Sequence, residues 1–320
     1  MSDPGRRQRL ITTIRERSRE ISPIPTGIVP RLAPLPSVRW IVFDVYGTLL
    51  TSGAGEIGTL ESSGTAPAES CEQIIRSYGK PGISGSDLVH ALIEQIRAEH
   101  RRRRSAMVPH PEVDILEIWR HLIDTFLTPP RASRDGIAPS PSTLHPENLA
   151  VDHELAVNPV WPMPGALETI GALYQNGYNL GIVSNAQFYT PLFIEALFGA
   201  GLEKLGISRC TWSYQIRAAK PSPAIFERFL SPHDAEPIDP STALYIGNDM
   251  RNDICAAAAQ GFRTALFAGD ARSLRLREED PSLCRVEPDL IVTDLRQLLE
   301  VFSRKGDRTG AAGRSKGSVI

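Results

Sequence analysis

The spacing of apolar positions changes twice along this chain. Residues 38–43 form an almost continuous β-branched and aromatic run that stops at Asp44 and is followed by a glycine turn. Such a run predicts a strand that is buried on both faces. From residue 161 onward, short apolar runs alternate with segments of helical periodicity. This alternation predicts an α/β fold, a Rossmann-like parallel sheet core with helices on both faces.

The predicted strands and helices of the core alternate in sequence. Strands are expected at residues 38–43, 178–184, 209–214, 243–247, 263–267 and 290–292. Helices are expected at residues 165–176, 190–198, 222–230, 252–260 and 294–302. In open parallel sheets ligands bind at the carboxyl ends of the strands, so we expect the chemistry there.

Residues 51–159 interrupt the alternation and are predicted to form an inserted α-helical cap domain. Apolar residues recur at helical spacing in segments 69–78, 86–104 and 111–127, and a Pro/Ser-rich loop follows at 128–146. The core then comprises residues 38–50 and 160–304. We expect the cap to close about hinges near residues 52–55 and 158–164.

The two ends of the chain differ from the core in composition. Residues 1–37 carry six arginines between Arg6 and Arg19 and then a series of prolines. They are predicted to be a basic, Pro-rich N-terminal arm, solvated and partly disordered, with a short helix over residues 6–21. Residues 305–320, rich in Gly, Lys, Arg and Ser, are predicted to be a disordered tail.

The composition of the chain serves mainly to exclude classes of partner and environment. The 320 residues are 41% hydrophobic and 22% charged with a net charge of −2, which gives no overall bias toward nucleic acid or an anionic membrane. The four cysteines are far apart and show no zinc-site spacing, which fits a reduced, cytoplasmic setting. No apolar run approaches the roughly 20 residues that span a bilayer.

Polar residues occur at four predicted strand ends. Each has an ordinary reading as a cap, a turn or a solvated residue, so none is informative alone. Together they would supply a carboxylate nucleophile, a cation and hydrogen-bond donors at one edge of the sheet. Two converging carboxylates would also require a cation such as Mg²⁺ or an ion pair with the lysine. The residues are Asp44, Thr48, Ser184, Asn185, Lys220, Asn248, Asp249 and Asp253.

This order of motifs resembles the haloacid dehalogenase (HAD) superfamily. The motifs are Asp44 to Thr48, then Ser184, then Lys220-Pro221, then the acidic pair before a helix. The resemblance covers residues 38–50 and 160–302, and that family places a helical cap after its first motif. It implies a hydrolase that works through a covalent aspartyl intermediate at Asp44.

The resemblance also implies a role for each site residue. Thr48, Ser184 and Asn185 would bind the anionic group of a small substrate, and Lys220 would orient Asp44. The catalytic set would be Asp44, Tyr46, Lys220 and Asp253. Mg²⁺ would be bound by Asp44, the Tyr46 backbone carbonyl and Asp249, with Asn248 as the alternative to Asp249.

The sequence departs from the family pattern at Tyr46. Family phosphatases usually carry there a second Asp that protonates the leaving group, and a tyrosine with a pKa near ~10 is poorly matched to that task. Family 2-haloacid dehalogenases carry a Tyr there, need no metal, and use a cap arginine, for which Arg76 and Arg97 are candidates. The acidic pair Asp249 and Asp253 points instead to a phosphatase.

Three functions therefore stay open. The first is Mg²⁺-dependent hydrolysis of a small phosphorylated metabolite, favoured by the acidic pair. The second is a metal-independent 2-haloacid dehalogenase, favoured by Tyr46. The third is a non-catalytic binding protein on the same fold. The expected partner is a small anionic substrate, without nucleic acid or membrane, and a homodimer is left open.

Overall fold

The computed structural model describes residues 3–54, 66–78, 83–127, 144–280 and 286–302. The strands are β1 (Trp40–Phe43), β2 (Leu50–Ser52), β3 (Val160–Pro162), β4 (Asn179–Ser184), β5 (Ile207–Trp212), β6 (Ala243–Gly247), β7 (Arg263–Phe267) and β8 (Leu290–Val292). Six of them form one sheet in the order β5-β4-β1-β6-β7-β8, in which every neighbouring pair is parallel. The predicted α/β fold class is confirmed.

Helices lie between most of the strands of this sheet, although none is described between β7 and β8. They are α1 (Pro4–Arg17), α2 (Ala66–Ser77), α3 (Gly85–Arg103), α4 (Ile115–Leu122), α5 (Pro146–Val157), α6 (Ala166–Gln175), α7 (Thr190–Phe198), α8 (Ser213–Ile216), α9 (Pro223–Leu230), α10 (Ala256–Ala259) and α11 (Gln297–Val301). Wider π-helical turns follow α4 at Ile123–Leu127 and precede α10 at Met250–Cys255, and a 3₁₀ turn spans Pro240–Thr242.

The first strand occupies the centre of the sheet. It lies between β4 and β6, and Ile41, Val42 and Phe43 are completely buried. Covering by helices on both faces explains why its sequence is an unbroken apolar run rather than an alternating one. The strand begins at Trp40 rather than at residue 38 and ends at Phe43, which leaves Asp44 just beyond its carboxyl end.

A short antiparallel pair joins the core to the inserted helices. Strands β2 and β3 pair with each other at the two points where the chain leaves and re-enters the core. Neither strand was predicted, because each is only three residues long. β2 ends where one expected hinge begins, at residue 52, and β3 lies within the other, at residues 158–164. Gly53 N donates to Pro159 O between them at 2.8 Å. Motion about these hinges remains a prediction.

The inserted segment differs from the prediction in two places. Helix α5 was not predicted, because its buried face includes the polar residues His153 and Glu154 and so lacks a clear apolar stripe. The helix expected at 111–127 begins only at Ile115, where the Asp114 side chain accepts from Leu116 N. The preceding residues are extended instead, because Pro111 bridges to Ala218 of the core.

The prediction of a solvated, partly disordered N-terminal arm is wrong. Helix α1 packs against α7 of the core and α5 of the insert, and it buries Leu10, Ile11 and Ile14. Its arginines form ion pairs with both neighbours, Arg7 with Glu195 and Arg17 with Asp152. The chain then crosses the sheet edge, where residue 31 exchanges two backbone hydrogen bonds with residue 291.

Other expectations concern regions outside the sheet. No described helix has both the length and the apolar character that crossing a bilayer requires. The described cysteines Cys71, Cys210 and Cys255 are free thiols. The predicted tail at 305–320 and most of the predicted loop at 128–146 lie outside the described residues. The boundaries proposed between core and cap remain predictions.

Candidate active site

Three charged side chains from distant parts of the chain meet at the carboxyl edge of the sheet. Asp44 follows β1, Lys220 precedes α9, and Asp253 lies in the π-helical turn after β6. Lys220 Nζ is 2.8 Å from Asp44 Oδ1 and 2.5 Å from Asp253 Oδ1. Side-chain exposure is 3% for Lys220, 9% for Asp44 and 2% for Asp253. One buried ammonium group thus lies between two buried carboxyl groups.

The electrostatics of this triad keep the lysine charged. Burial acts to lower the pKa of Lys220, but the facing Asp253 and Asp44 outweigh it and hold that pKa above its ordinary value. Burial also raises the pKa of Asp253, against the opposing effect of Lys220. The ammonium therefore neutralises Asp44, the carboxylate that the family resemblance predicts to be the nucleophile.

Asp253 also organises the loop that follows β6. Its Oδ2 accepts from the backbone amides of Asn248 at 3.0 Å and Asp249 at 2.9 Å, while its Oδ1 accepts from Lys220. Lys220 makes a further hydrogen bond to the Tyr245 hydroxyl at 3.0 Å. Asp253 thus positions both the lysine and the loop, and Tyr245 is a contact that sequence reasoning missed.

The residues predicted to bind the substrate anion lie at the same edge of the sheet. The Asn185 side chain accepts from the backbone amide of Lys220 at 2.7 Å and so fixes the lysine loop. Thr48 Oγ1 donates to Asn248 Oδ1 at 3.2 Å, and Ser184 Oγ donates to the Asn185 carbonyl at 3.2 Å. Their contact with substrate stays a prediction.

Asp249, predicted to bind Mg²⁺, already has protein partners on both oxygens. Its Oδ1 accepts from the amides of Arg251 and Asn252 at 2.8 and 3.1 Å. Its Oδ2 accepts from Arg277 at 2.6 Å and from Asn252 Nδ2 at 3.1 Å. Although burial opposes it, the Arg277 guanidinium holds the pKa of Asp249 below its ordinary value. This carboxylate serves as a helix cap and ion-pair partner.

The alternative ligand Asn248 is also engaged. Its side chain accepts from Thr48 and donates to Ser273 O at 2.6 Å. In the described part of the chain no group of three His, Cys, Asp or Glu side chains is arranged to hold a metal ion. In this arrangement Asp249 would have to leave Arg277 before it could bind Mg²⁺, whereas Lys220 engages only Oδ1 of Asp44.

The Tyr46 side chain is directed to a hydroxyl partner in the core. Its hydroxyl lies 2.9 Å from Thr190 Oγ1, and the residue is buried. Burial raises the pKa of Tyr46 well above 10. A phenol with such a pKa is a poor acid for a leaving group at neutral pH, as expected from its type.

Comparison with known proteins identifies the family. The family model for haloacid dehalogenase-like hydrolases matches residues 38–261, more than half of the 320-residue chain. The chain belongs to this family. This chain is also 32% identical over 139 residues to phosphoglycolate phosphatase 1 of Pseudomonas aeruginosa. That match spans 42% of this chain and 45% of the relative, so the likeness covers less than half of each protein.

Among solved structures, a 2-haloacid dehalogenase shares the fold of this chain. A 2-haloacid dehalogenase from Pseudomonas syringae pv. tomato is 17% identical, with a TM-score of 0.52 over 82% of this chain and 97% of that one. A HAD phosphatase from Thermococcus onnurineus is 18% identical, with a TM-score of 0.46 over 83% of this chain and 98% of that one. At these identities the likeness concerns the fold alone, so the reaction of this haloacid dehalogenase-like hydrolase must be argued from its own site.

Sequence reasoning missed the contact between the insert and the lysine loop. Residues 110–112 run antiparallel to residues 217–219, with backbone hydrogen bonds of 2.9 and 3.0 Å. Arg217 reinforces this contact through an ion pair with Glu117 at 2.6 Å. Because Lys220 follows directly, this contact fixes the position of Lys220 relative to the inserted helices. The prediction of a helix beginning at residue 111 did not anticipate this contact.

Two arginines beside the site have unusual backbone conformations, and two on the inserted helices were considered as halide contacts. Arg217 and Arg277 are the described non-glycine residues with positive φ, 59° and 55°. Holding a non-glycine residue in this conformation costs about 1–3 kcal/mol. The ion pairs of Arg217 and Arg277 therefore help to keep the backbone near the site in this conformation. The cap arginines considered as halide contacts, Arg76 and Arg97, instead form ion pairs with acidic residues of their own helices and are largely exposed.

Proposed function

We propose that this haloacid dehalogenase-like hydrolase forms an ester at Asp44 without a metal ion and acts on 2-haloacids. The observation that carries the proposal is the position of Lys220, whose ammonium bridges the two carboxylates at 2.8 and 2.5 Å. The engagement of Asp249 by Arg277 supports the same conclusion. Lys220 supplies positive charge beside the nucleophile, and the ion pair with Arg277 leaves no free oxygen on Asp249 for a metal.

The reaction would proceed in two balanced steps. Asp44 Oδ1 is held by Lys220, so Oδ2 attacks the carbon that carries the halogen. A carbon–oxygen bond forms as the carbon–halogen bond breaks, and the halide leaves with the bonding electron pair. Water then adds to the carboxyl carbon of the aspartyl ester. This step releases the 2-hydroxy acid, restores Asp44 and frees one proton.

The surroundings of Asp44 fit a leaving group that departs without a proton. Tyr46 is buried on Thr190 and has a pKa well above 10, so it is not a suitable acid. A halide is a weak base and needs no acid. Burial of Asp44 beside Lys220 also removes water from the nucleophile and orients it, which are ordinary sources of rate enhancement.

A second candidate is Mg²⁺-dependent hydrolysis of a phosphorylated metabolite. The acidic pair Asp249 and Asp253 favours it, as does the partial likeness to a phosphoglycolate phosphatase. It requires Arg277 to release Asp249, so that this carboxylate and Asp44 Oδ2, which Lys220 does not hold, could both face a metal. The third alternative, a binding protein without turnover, would be excluded by any turnover that depends on Asp44.

The deciding experiment is a substrate panel with and without chelator. Chloride release from 2-chloropropionate and longer 2-chloroacids, and phosphate release from phosphorylated metabolites, are measured in EDTA and in Mg²⁺. Asp44→Asn is the test variant, and Asp234→Asn, at an exposed position, is its matched control. We expect halide release that EDTA leaves unchanged and that only Asp44→Asn abolishes. Phosphate release that requires Mg²⁺, without halide release, would establish the second candidate instead.

A further inference from the structure

Helix α1 connects the inserted helices to the core, although it precedes both in the sequence. It packs against α7 of the core and against α5 of the insert, and its contact with α7 is the more extensive. The chain itself passes between core and insert at two points, beside β2 and β3. Helix α1 therefore adds a third, non-covalent connection across this boundary.

The contact of α1 with the core combines apolar burial with a paired guanidinium group. The three buried apolar side chains of α1 are at most 3% exposed and belong to the same apolar cluster as the buried apolar residues of α7. Arg7 forms two hydrogen bonds with the Glu195 carboxylate, and Arg15 Nε donates to Ala196 O at 3.3 Å. Because buried apolar surface stabilises more than partly exposed ion pairs do, we expect α1 to stay with the core.

The polar contacts of α1 with the insert are ion pairs to α5. Arg17 pairs with Asp152, and Arg6 Nη1 lies 3.6 Å from Glu147 Oε1. Asp152 also accepts from the Tyr78 hydroxyl, beside α2, at 2.6 Å, so this carboxylate joins three segments. Both arginine side chains are partly exposed, and ion pairs of this kind are individually weak and are weakened further by salt. Helix α1 is therefore expected to release α5 before it releases α7.

The nucleophile is closed off while the insert and the core are in contact. The Asp44 side chain is only 9% exposed, so access to it requires the surrounding segments to move. Glu112 N donates to Arg217 O at 3.0 Å, and Ala219 N donates to His110 O at 2.9 Å, which joins the insert to the lysine loop. Both amides lose these partners when the insert separates from the core. We call them the reporter amides, because their exchange with solvent measures that separation.

We propose that α1 is a strap that holds the inserted helices against the core and limits access to Asp44, and that it opens by breaking its ion pairs with α5. This device goes beyond the proposed function and is the same for a haloacid and for a phosphorylated substrate. Helix α1 lies outside residues 38–261, the segment that the family model matches. The strap is therefore an addition of this chain to the part that defines its family.

The test measures hydrogen–deuterium exchange of single backbone amides in the full-length protein at low salt. Arg6→Met/Arg17→Met removes both ion pairs with α5 and keeps unbranched aliphatic side chains. Loss of two partly exposed pairs should speed exchange of the reporter amides by about 2- to 10-fold. The amides of β1 should exchange as in the wild type, because the sheet stays folded. Unchanged reporter amides, or an equal acceleration in β1, would overturn the proposal.

The matched control removes two arginines of the same segment that do not contact α5. In Arg9→Met/Arg19→Met the lost side chains have their described partners within residues 3–18, so the contact with the insert is kept. This variant should leave the reporter amides unchanged. An acceleration equal to that of the test variant would show that the net charge of the N-terminus, rather than the ion pairs with α5, controls the separation, and would overturn the proposal.

A third variant tests whether the two ends of α1 act together. Arg7→Met loosens the end that is bound to the core. Because a strap holds only while both ends are attached, this change should speed the reporter amides in the wild type and have less than half that effect, in free energy, in Arg6→Met/Arg17→Met. Full additivity would mean that α1 supports α5 and α7 separately and would overturn the proposal. Amide exchange needs no turnover, so these outcomes do not depend on the proposed reaction.

Discussion

Replacing Lys220 by methionine tests the charged triad directly. The substitution keeps an unbranched side chain and removes the ammonium that lies between Asp44 and Asp253. Because both carboxyl groups are less than 10% exposed, they would face each other almost without solvent. Removing one partner of a buried ion pair typically costs about 3–5 kcal/mol, and we expect a loss of that size in the free energy of unfolding at pH 8.

The loss should depend on pH in a defined direction. Without the lysine, repulsion raises the pKa of one carboxyl group above its value in the unfolded chain. A carboxyl group with a raised pKa in the folded state weakens the fold as pH rises through the window between the two values. Lys220→Met should therefore be less damaging at pH 5.5 than at pH 8. The double variant Lys220→Met/Asp253→Asn should recover at least half of the loss at pH 8.

The free energies of unfolding are measured by urea titration, with tryptophan fluorescence as the signal. If the free energy falls with urea concentration at the same slope in each variant, unfolding exposes the same surface area in each. The control is Lys204→Met, at an exposed position, which should change stability by no more than about 0.5 kcal/mol. An equal loss at both pH values, without recovery in the double variant, would refute the idea that Lys220 is the counter-ion of two carboxylates.

Three further predictions follow from single positions. Burial raises the pKa of Glu112 from 4.5 to about 7, so wild-type stability should fall on the order of 3 kcal/mol between pH 4.5 and 7, and Glu112→Gln should remove that slope in urea titrations. Gly247→Ala would place a Cβ 2.4 Å from the Asp253 carboxyl carbon, so we expect lower kcat and about 1–3 kcal/mol less stability; normal kinetics would contradict this. Ile14→Ala, in α1, should cost about 2–5 kcal/mol because Ile14 is fully buried, whereas a solvated arm would show almost no change in melting temperature.

The sequence predicts the core of this fold well for a simple reason. Strands β6, β7 and β8 and helix α7 have the predicted bounds, because elements covered on both faces consist of short continuous apolar runs. The convergence of Asp44, Lys220 and Asp253 follows from the order of the parallel strands. What the sequence predicts best is therefore the part that depends on periodicity and topology.

Elements whose stability depends on distant partners were harder to predict. Helix α1 buries only three apolar side chains and carries many arginines. Glu195, the ion-pair partner of its Arg7, lies 188 residues away in the sequence. The contact between Arg277 and Asp249 spans 28 residues and an irregular loop. No local sequence pattern predicts such pairs. The packing of the N-terminal helix and the ion pair of Asp249 therefore could not be predicted from the sequence.

The central claim is that Asp44 becomes covalently bound to the substrate. It is tested by a single turnover with enzyme in excess over a 2-haloacid in water enriched in the heavy oxygen isotope, followed by mass spectrometry of the Asp44 peptide and the product. The account predicts that the heavy oxygen enters the Asp44 carboxylate, while the first hydroxy acid released carries ordinary oxygen. Heavy oxygen in that first product, with the Asp44 peptide unlabelled, would show that water attacks the substrate directly and would contradict the account.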